Sequence, residues 1–159
     1  MTRSKVNGSV IVEKTAWIRR MLADLRDLGL EDREGFLADK HKQAAAESYL
    51  RRALEALFDI GRHILARKFG AMAAEYKDIA RLLFENRALT QKEAVLLRLM
   101  AGYRNRLVHF YHEVGPAELF EICAKDSTDI QKILNRLIKK AMEEPRTGRK
   151  RRRSAKALE

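Results

Sequence analysis

An all-α bundle is the fold this chain predicts, and three observations predict it. The 159 residues include only 8 glycines and 2 prolines, too few turn-formers for a many-stranded architecture. Apolar residues recur at helical spacings along most of the chain, and no stretch alternates apolar with polar as a half-buried strand does. Hydrophobic residues make up 46% and charged residues 35%, enough for a core without being disordered or membrane-embedded.

The elements follow in order. Residues 9–28 read as a first helix, with Ile11, Ile18, Leu22 and Leu25 on one stripe and Gly29 placed to end it in a left-handed cap. A second helix begins near Asp32 and runs to Lys68, with a stripe through Leu50, Leu54, Leu57, Gly61, Ile64 and Leu65. It would span on the order of 55 Å, longer than a domain of this size. A break near Lys42 or pairing with a second protomer resolves that excess, and the favoured reading is one long helix with a dimerising section. Gly70 to Ala74 is a small-residue link, and Tyr76 to Glu85 a short helix turning Ile79, Leu82 and Leu83 inward.

Thr90-Gln91-Lys92-Glu93 is a capping box that opens a helix expected to reach Tyr111 or His112. Gly115-Pro116 stops it and starts another short helix, since proline suits a first helical position. Asp126-Ser127-Thr128 offers a further cap before the stripe Ile130, Ile133, Leu134, Leu137, Ile138 and Met142.

Composition narrows the function. A single cysteine, Cys123, excludes an internal disulfide and a thiolate zinc cluster. No apolar run approaches the roughly 18 residues that cross a bilayer, and Met1 to Val10 lacks the apolar block of a secretory signal. A cytoplasmic protein is expected. The net charge of +11 is uneven: residues 145–159 carry seven Lys and Arg against the single acid Glu159. The chain therefore divides into a helical domain, 1–144, and a basic tail, 145–159, expected to be disordered. Such a tail is either a solvated end or an electrostatic arm for nucleic-acid phosphates, and it supplies no chemistry.

Of the four histidines, His41 and His63 stand without a paired ligand and read as surface or packing residues. There is no Gly-rich phosphate loop, nucleophile elbow or HExxH motif, so neither metal nor cofactor is expected. Chemistry concentrates in Gly102-Tyr103-Arg104-Asn105-Arg106-Leu107-Val108-His109-Phe110-Tyr111-His112. At about 100° per residue, Arg104 and Tyr111 fall within about 20° of each other and extend the apolar stripe of Leu97, Met100, Ala101, Leu107 and Val108. Asn105, His109 and His112 form a neighbouring stripe. Arg104 and His109 are about 140° apart, so one helix cannot easily aim both at one atom, whereas two helices crossing at a two-fold axis can.

A planar guanidinium for phosphate oxygens, together with an imidazole that moves protons near neutral pH, suits metal-free cleavage of an RNA phosphodiester. The competing reading is structural: Arg104 pairs with an acid, and His109 merely packs.

Arg104 to Tyr111 also fits R-x4-H-x-Y, the motif of the HepT-like toxins, a branch of the HEPN superfamily that this chain resembles. Glu75-Tyr76-Lys77-Asp78, Leu82-Leu83, Glu93 and Met100-Ala101-Gly102-Tyr103 resemble the approach to that motif. The similarity is best over Tyr76 to Ile122, and helix order extends it to 9–143. It implies a HEPN-type up-and-down bundle that forms a homodimer through the motif helices, with a composite, metal-independent ribonuclease site in the dimer cleft. By the same resemblance, Arg104 binds phosphate and His109 transfers protons, while Asn105 orients the histidine or the substrate. Tyr111 matches the tyrosine on which an MntA-like nucleotidyltransferase antitoxin places AMP, silencing the toxin.

His112 lies outside the motif, as an auxiliary phosphate contact or an exposed residue. Gly115 stands where many relatives carry an acid, and the basic tail is not a family hallmark. The alternative from a different class is a non-catalytic helical partner or antitoxin that binds nucleotide or a nucleotidyltransferase. A general nucleic-acid binder acting through the tail leaves residues 104–111 unexplained.

Overall fold

The computed structural model describes residues 5–109 and 114–144. Six helices and no strand occur among them: α1 Gly8–Arg26, α2 Arg33–Ala38, α3 Lys40–Phe69, α4 Tyr76–Glu85, α5 Gln91–His109 and α6 Pro116–Met142. The all-helical expectation holds. The basic segment 145–159 lies outside the described residues, as do Tyr111 and His112.

The axis of the bundle is α3, which packs against every other helix. Its 30 residues rise about 45 Å, and Leu50, Leu54, Leu57, Phe58, Ile60, Ile64 and Leu65 are completely buried. Opposing them are Ile18, Leu22 and Leu25 of α1, Ile79 and Leu83 of α4, and Ile130, Ile133, Leu134 and Leu137 of α6. Gly61 brings α4 in: a Cβ there would lie 2.9 Å from Ile79 and 3.2 Å from Leu83. The short α2 is pinned by Phe36, whose ring centroid is 5.3 Å from that of Phe120 on α6.

The single long helix from Asp32 to Lys68 is corrected. Asp39 is extended, with φ −121° and ψ 98°, and its carboxylate accepts from the backbone N–H groups of His41 and Lys42. That aspartate closes α2 and caps α3, because its side chain satisfies donors that a continuous helix would pair with backbone. The break falls three residues before Lys42. The predicted division of α6 is corrected as well. Asp126 and Ser127 are buried within one continuous helix. The Ser127 hydroxyl reaches back to the Ala124 carbonyl rather than capping, as tertiary packing overrides the local signal.

Other boundaries agree closely with expectation. Helix α1 ends at Arg26 and the chain turns through Gly29, φ 78°. Gly70, φ 61°, caps α3 in the left-handed conformation that glycine adopts without steric cost. Helix α4 has the predicted limits. At the start of α5 the Thr90 hydroxyl accepts from the Glu93 N–H at 3.2 Å and donates to the Glu93 carboxylate at 3.0 Å. His63 serves structure: its Nε2 accepts from the Asn7 N–H at 3.1 Å, just ahead of α1. Its pKa is lowered by burial and then by Arg67, which favours the neutral ring that can accept.

Candidate functional site

Helix α5 has a covered side and an open side. Leu97, Met100, Ala101 and Leu107 are buried against the bundle. Arg104 points the same way, its side chain only 16% exposed. Burying a guanidinium there requires partners, and α3 and α4 supply them. Arg104 Nη2 lies 3.1 Å from Glu55 Oε1 of α3, and its Cζ sits 4.5 Å above the ring centroid of Tyr76, the first residue of α4. Nη1 is 3.4 Å from Asn105 Oδ1, a long contact. The Arg104 Nε is buried without a partner among the described residues.

This neighbourhood stays positive in spite of Glu55. The other oxygen of that carboxylate, Oε2, is 3.3 Å from Arg51 Nη1, one helical turn earlier. Arg62 approaches the same Tyr76 ring, its Cζ 5.6 Å from the centroid. Three guanidiniums thus surround one carboxylate and one aromatic face. Tyr76 is itself held by Phe58, with centroids 4.9 Å apart. The result is a cationic cup of guanidiniums, the group whose planar fork suits phosphate oxygens.

His109 sits on the other side. It is exposed in the last turn of α5, five residues beyond Arg104. That spacing is about 7.5 Å along the axis and about 140° around it. Val95, Leu99, Gly102, Arg106 and His109 all lie within about 40° of one line. Val95 is 55% and Leu99 49% exposed, and a Cβ on Gly102 would meet nothing within 4 Å. This open side is therefore apolar over two turns, flat at Gly102, and ends at the histidine. Arg106, within the motif but given no role by sequence reasoning, clamps Glu118 of α6 through two bonds of 2.6 and 2.9 Å. The bidentate contact fixes the last turn of α5 against the first of α6, and it pulls the Glu118 carboxyl below its usual pKa.

The family model for HepT-like ribonucleases matches residues 18–137, most of the chain. The chain belongs to the HepT-like ribonuclease family. The mRNA nuclease HepT of Shewanella oneidensis is 30% identical over 108 residues, which are 68% of this chain and 80% of that protein. Among solved structures, the tri-AMPylated HEPN toxin of Shewanella oneidensis, in complex with an MNT antitoxin, is 26% identical. It covers 84% of this chain and 98% of its own, with a TM-score of 0.76. A cytosolic protein of unknown function from Bacillus subtilis, YutE, shares the fold at 21% identity and a TM-score of 0.71, covering 86% of this chain and 91% of its own.

For this HepT-like chain, the sequence-predicted residues fall into three groups. Arg104 and Asn105 are placed together, half in the cup. His109 is placed apart, on the open side. Tyr111 and His112 lie outside the described residues. Sequence reasoning anticipated an acidic partner for Arg104 without naming it, and it gave Tyr76 no role at the arginine. No helix among the described residues is long and apolar enough to cross a membrane.

Proposed function

We propose that this chain is the toxin of a toxin–antitoxin pair, a metal-independent endoribonuclease acting in the cytoplasm as a homodimer whose α5 helices face each other. The observation that carries this reading is the division of α5. Arg104 is preset on the covered side within a net positive cup, while His109 stands at the end of an open side lined by Val95, Leu99 and Gly102. Two such open sides packed about a two-fold axis bring the two His109 residues into one cleft, with an Arg104 flanking it from each subunit.

In that cleft one His109 takes the proton from a ribose 2′-OH, and the freed oxygen attacks the adjacent phosphorus. The His109 of the partner subunit gives a proton to the departing 5′ oxygen. Arg104 stabilises the charge that builds on the phosphoryl oxygens. The products are a 2′,3′-cyclic phosphate and a 5′-hydroxyl. Asn105 holds the arginine edge, and His112 is an added phosphate contact. Control follows from chemistry at Tyr111, where the phenolate attacks the α-phosphorus of ATP and pyrophosphate leaves. An MntA-like nucleotidyltransferase antitoxin performs the transfer, and the added AMP sets bulk and negative charge where RNA must bind.

The test is cleavage of RNA by the purified dimer in EDTA, with end-group analysis. Activity in chelator with cyclic-phosphate ends supports the mechanism, and a strict need for added Mg²⁺ overturns it. The Glu55–Arg104 ion pair also favours a second reading, because a purely structural arginine makes the same contact. In that case the chain is a non-catalytic partner of a nucleotidyltransferase. Expression alone separates the two, arresting growth under the first and proving harmless under the second.

A further inference from the structure

At the opposite end of α5 from His109 lies a feature that the cleavage site does not use. The turn joining α4 to α5 and the last turns of α6 enclose a cleft of about 220 Å³. Arg87, Arg136, Lys139 and Lys140 line it against the carboxylate of Glu143. Lys140 engages Glu143 at 3.0 Å, and Arg136 reaches Glu93 at 3.3 Å. Arg87 and Lys139 are exposed; Lys139 acts on the Glu143 carboxylate through space, whereas Arg87 forms no ion pair among the described residues. The ring of Phe84, 44% exposed, stands at the same rim.

Two details make this more than a charged surface. The first concerns the carbonyls at the end of α6, which would repel an anion; two of those at this end are engaged by a cation. Lys68 Nζ donates to the carbonyls of Lys140, at 2.5 Å, and Glu143, at 2.6 Å. Thr90, at the N-terminus of α5, faces the cleft, so the positive end of that helix dipole opens onto it.

The second detail is the backbone of Arg87. Helix α4 ends in a Schellman motif, with Ala88 N–H bonded to the Leu83 carbonyl at 2.8 Å and Arg87 N–H to that of Phe84 at 2.9 Å. The residue between helix and turn is left-handed, φ 59°, a position where glycine is strongly preferred. Here it is arginine. The arginine thus stands on strained backbone over a basic cleft, where its guanidinium contributes no ion pair to stability among the described residues.

We infer that this cleft is a second RNA-binding site, in which Arg87 and Lys139 hold backbone phosphates and Phe84 stacks a base. It rests on the reading of the chain as a ribonuclease, and extends it by making the substrate a strand long enough to run the length of α5. The cleft lies about 28 Å from His109, the rise of the 19 residues of α5.

Arg87→Gly and Lys139→Ala, alone and together in the full-length dimer, test the inference. Cleavage is followed on a single-stranded RNA that spans α5 and on a dinucleotide; binding is followed by anisotropy in a His109→Ala background. Arg87→Gly should raise the melting temperature, since it relieves the left-handed backbone, and yet weaken binding of the long RNA. The double variant should raise KM for the long RNA roughly tenfold with kcat unchanged, and leave the dinucleotide untouched. Its salt-dependence slope should fall by about 0.7 for each phosphate that the variant no longer neutralises. Equal loss on both substrates, or unchanged KM and slope, overturns the second site while leaving the ribonuclease intact. Weakened binding of a nucleotidyltransferase partner with RNA binding unaltered overturns it too. If the chain cleaves no RNA but the variants still lose RNA binding, the cleavage reading fails and this site stands.

Discussion

Turned half a revolution about its axis, α5 presents two unlike surfaces. The covered side meets three helices, and there the polar groups are largely committed: Arg104 is bonded to α3, stacked on α4 and steadied by its neighbour Asn105. The open side is bare along Val95, Leu99 and Gly102, although Arg106 near its end is tied to α6. The difference teaches how one chain prepares a site it does not complete. Under the proposed mechanism, preorganisation goes to the group that must hold charge still, while the group that exchanges protons stays where substrate and a second copy can reach it.

Alanine at each member of the pair breaks the comparison most sharply. Arg104→Ala and His109→Ala should each lower kcat/KM for RNA by about 10²–10⁴. Their stabilities should differ, however. Arg104→Ala strips a buried ion pair and a cation–π contact and should cost roughly 1–3 kcal/mol in urea unfolding. His109→Ala, at an exposed helix end, should stay within about 0.5 kcal/mol of the parent. Equal destabilisation by the two would erase the distinction between the sides.

Next in size is the open side itself. Leu99→Glu puts a charge at the middle of the apolar strip without disturbing the core, because Leu99 is 49% exposed. Sedimentation should show a folded monomer, and ribonuclease activity should fall at least as far as dimer occupancy does. A dimeric Leu99→Glu protein with full activity would place the two-fold contact elsewhere.

The covered side also faces a carboxyl that burial leaves poorly satisfied. Asp126 of α6 is 4% exposed, and its Oδ2 has no hydrogen-bond partner among the described residues. Burial, reinforced by Asp129 and only partly opposed by Lys125, pushes its pKa up to about 7. Burial raises the pKa of Tyr103, the neighbour of Arg104, and the charge of Asp126 adds to that rise. An aspartate is near 3.9 in an unfolded chain. Its folded pKa being higher, the neutral form's contribution to stability is complete below about pH 4 and is lost as pH rises through 7. Asp126→Asn should therefore flatten the pH dependence of unfolding between about pH 4 and 7 and stabilise the protein at pH 8 by a few kcal/mol. Identical slopes for parent and variant would show that Asp126 finds a partner in solution.

Much of this architecture is legible in the sequence, and the parts that are not have a common cause. The limits of α4, the start of α5 and the covered stripe with Arg104 on it all follow from spacing. Two helix limits do not. Asp39 and Asp126 look alike to a local reading, yet one ends a helix because its carboxylate finds two backbone donors, and the other is carried inside a helix by packing. Glu55 is 49 residues from Arg104 and is matched to it only by the packing of α3 on α5. The signal available was an acid set among Leu54, Ala56, Leu57 and Phe58. Val95 and Leu99 fall off the stripe that the sequence marks as buried, and spacing alone gives no reason for two exposed apolar residues there.

Glu55 gives the subtlest test of how the two sides divide the work. Its carboxylate orients Arg104 but also competes with phosphate for the same guanidinium. Glu55→Gln keeps the shape and one acceptor while removing the competing charge. RNA should then bind somewhat more tightly, with KM falling about two- to threefold. A less firmly held Arg104 should lower kcat by about three- to tenfold, or up to roughly 1.4 kcal/mol of barrier. Glu55→Asp restores the charge on a shorter arm and should recover part of kcat while returning KM to the parent value. A fall in both constants together is the signature of a positioning residue, whereas a carboxylate that merely braces α3 against α5 would change the melting temperature and leave both constants alone.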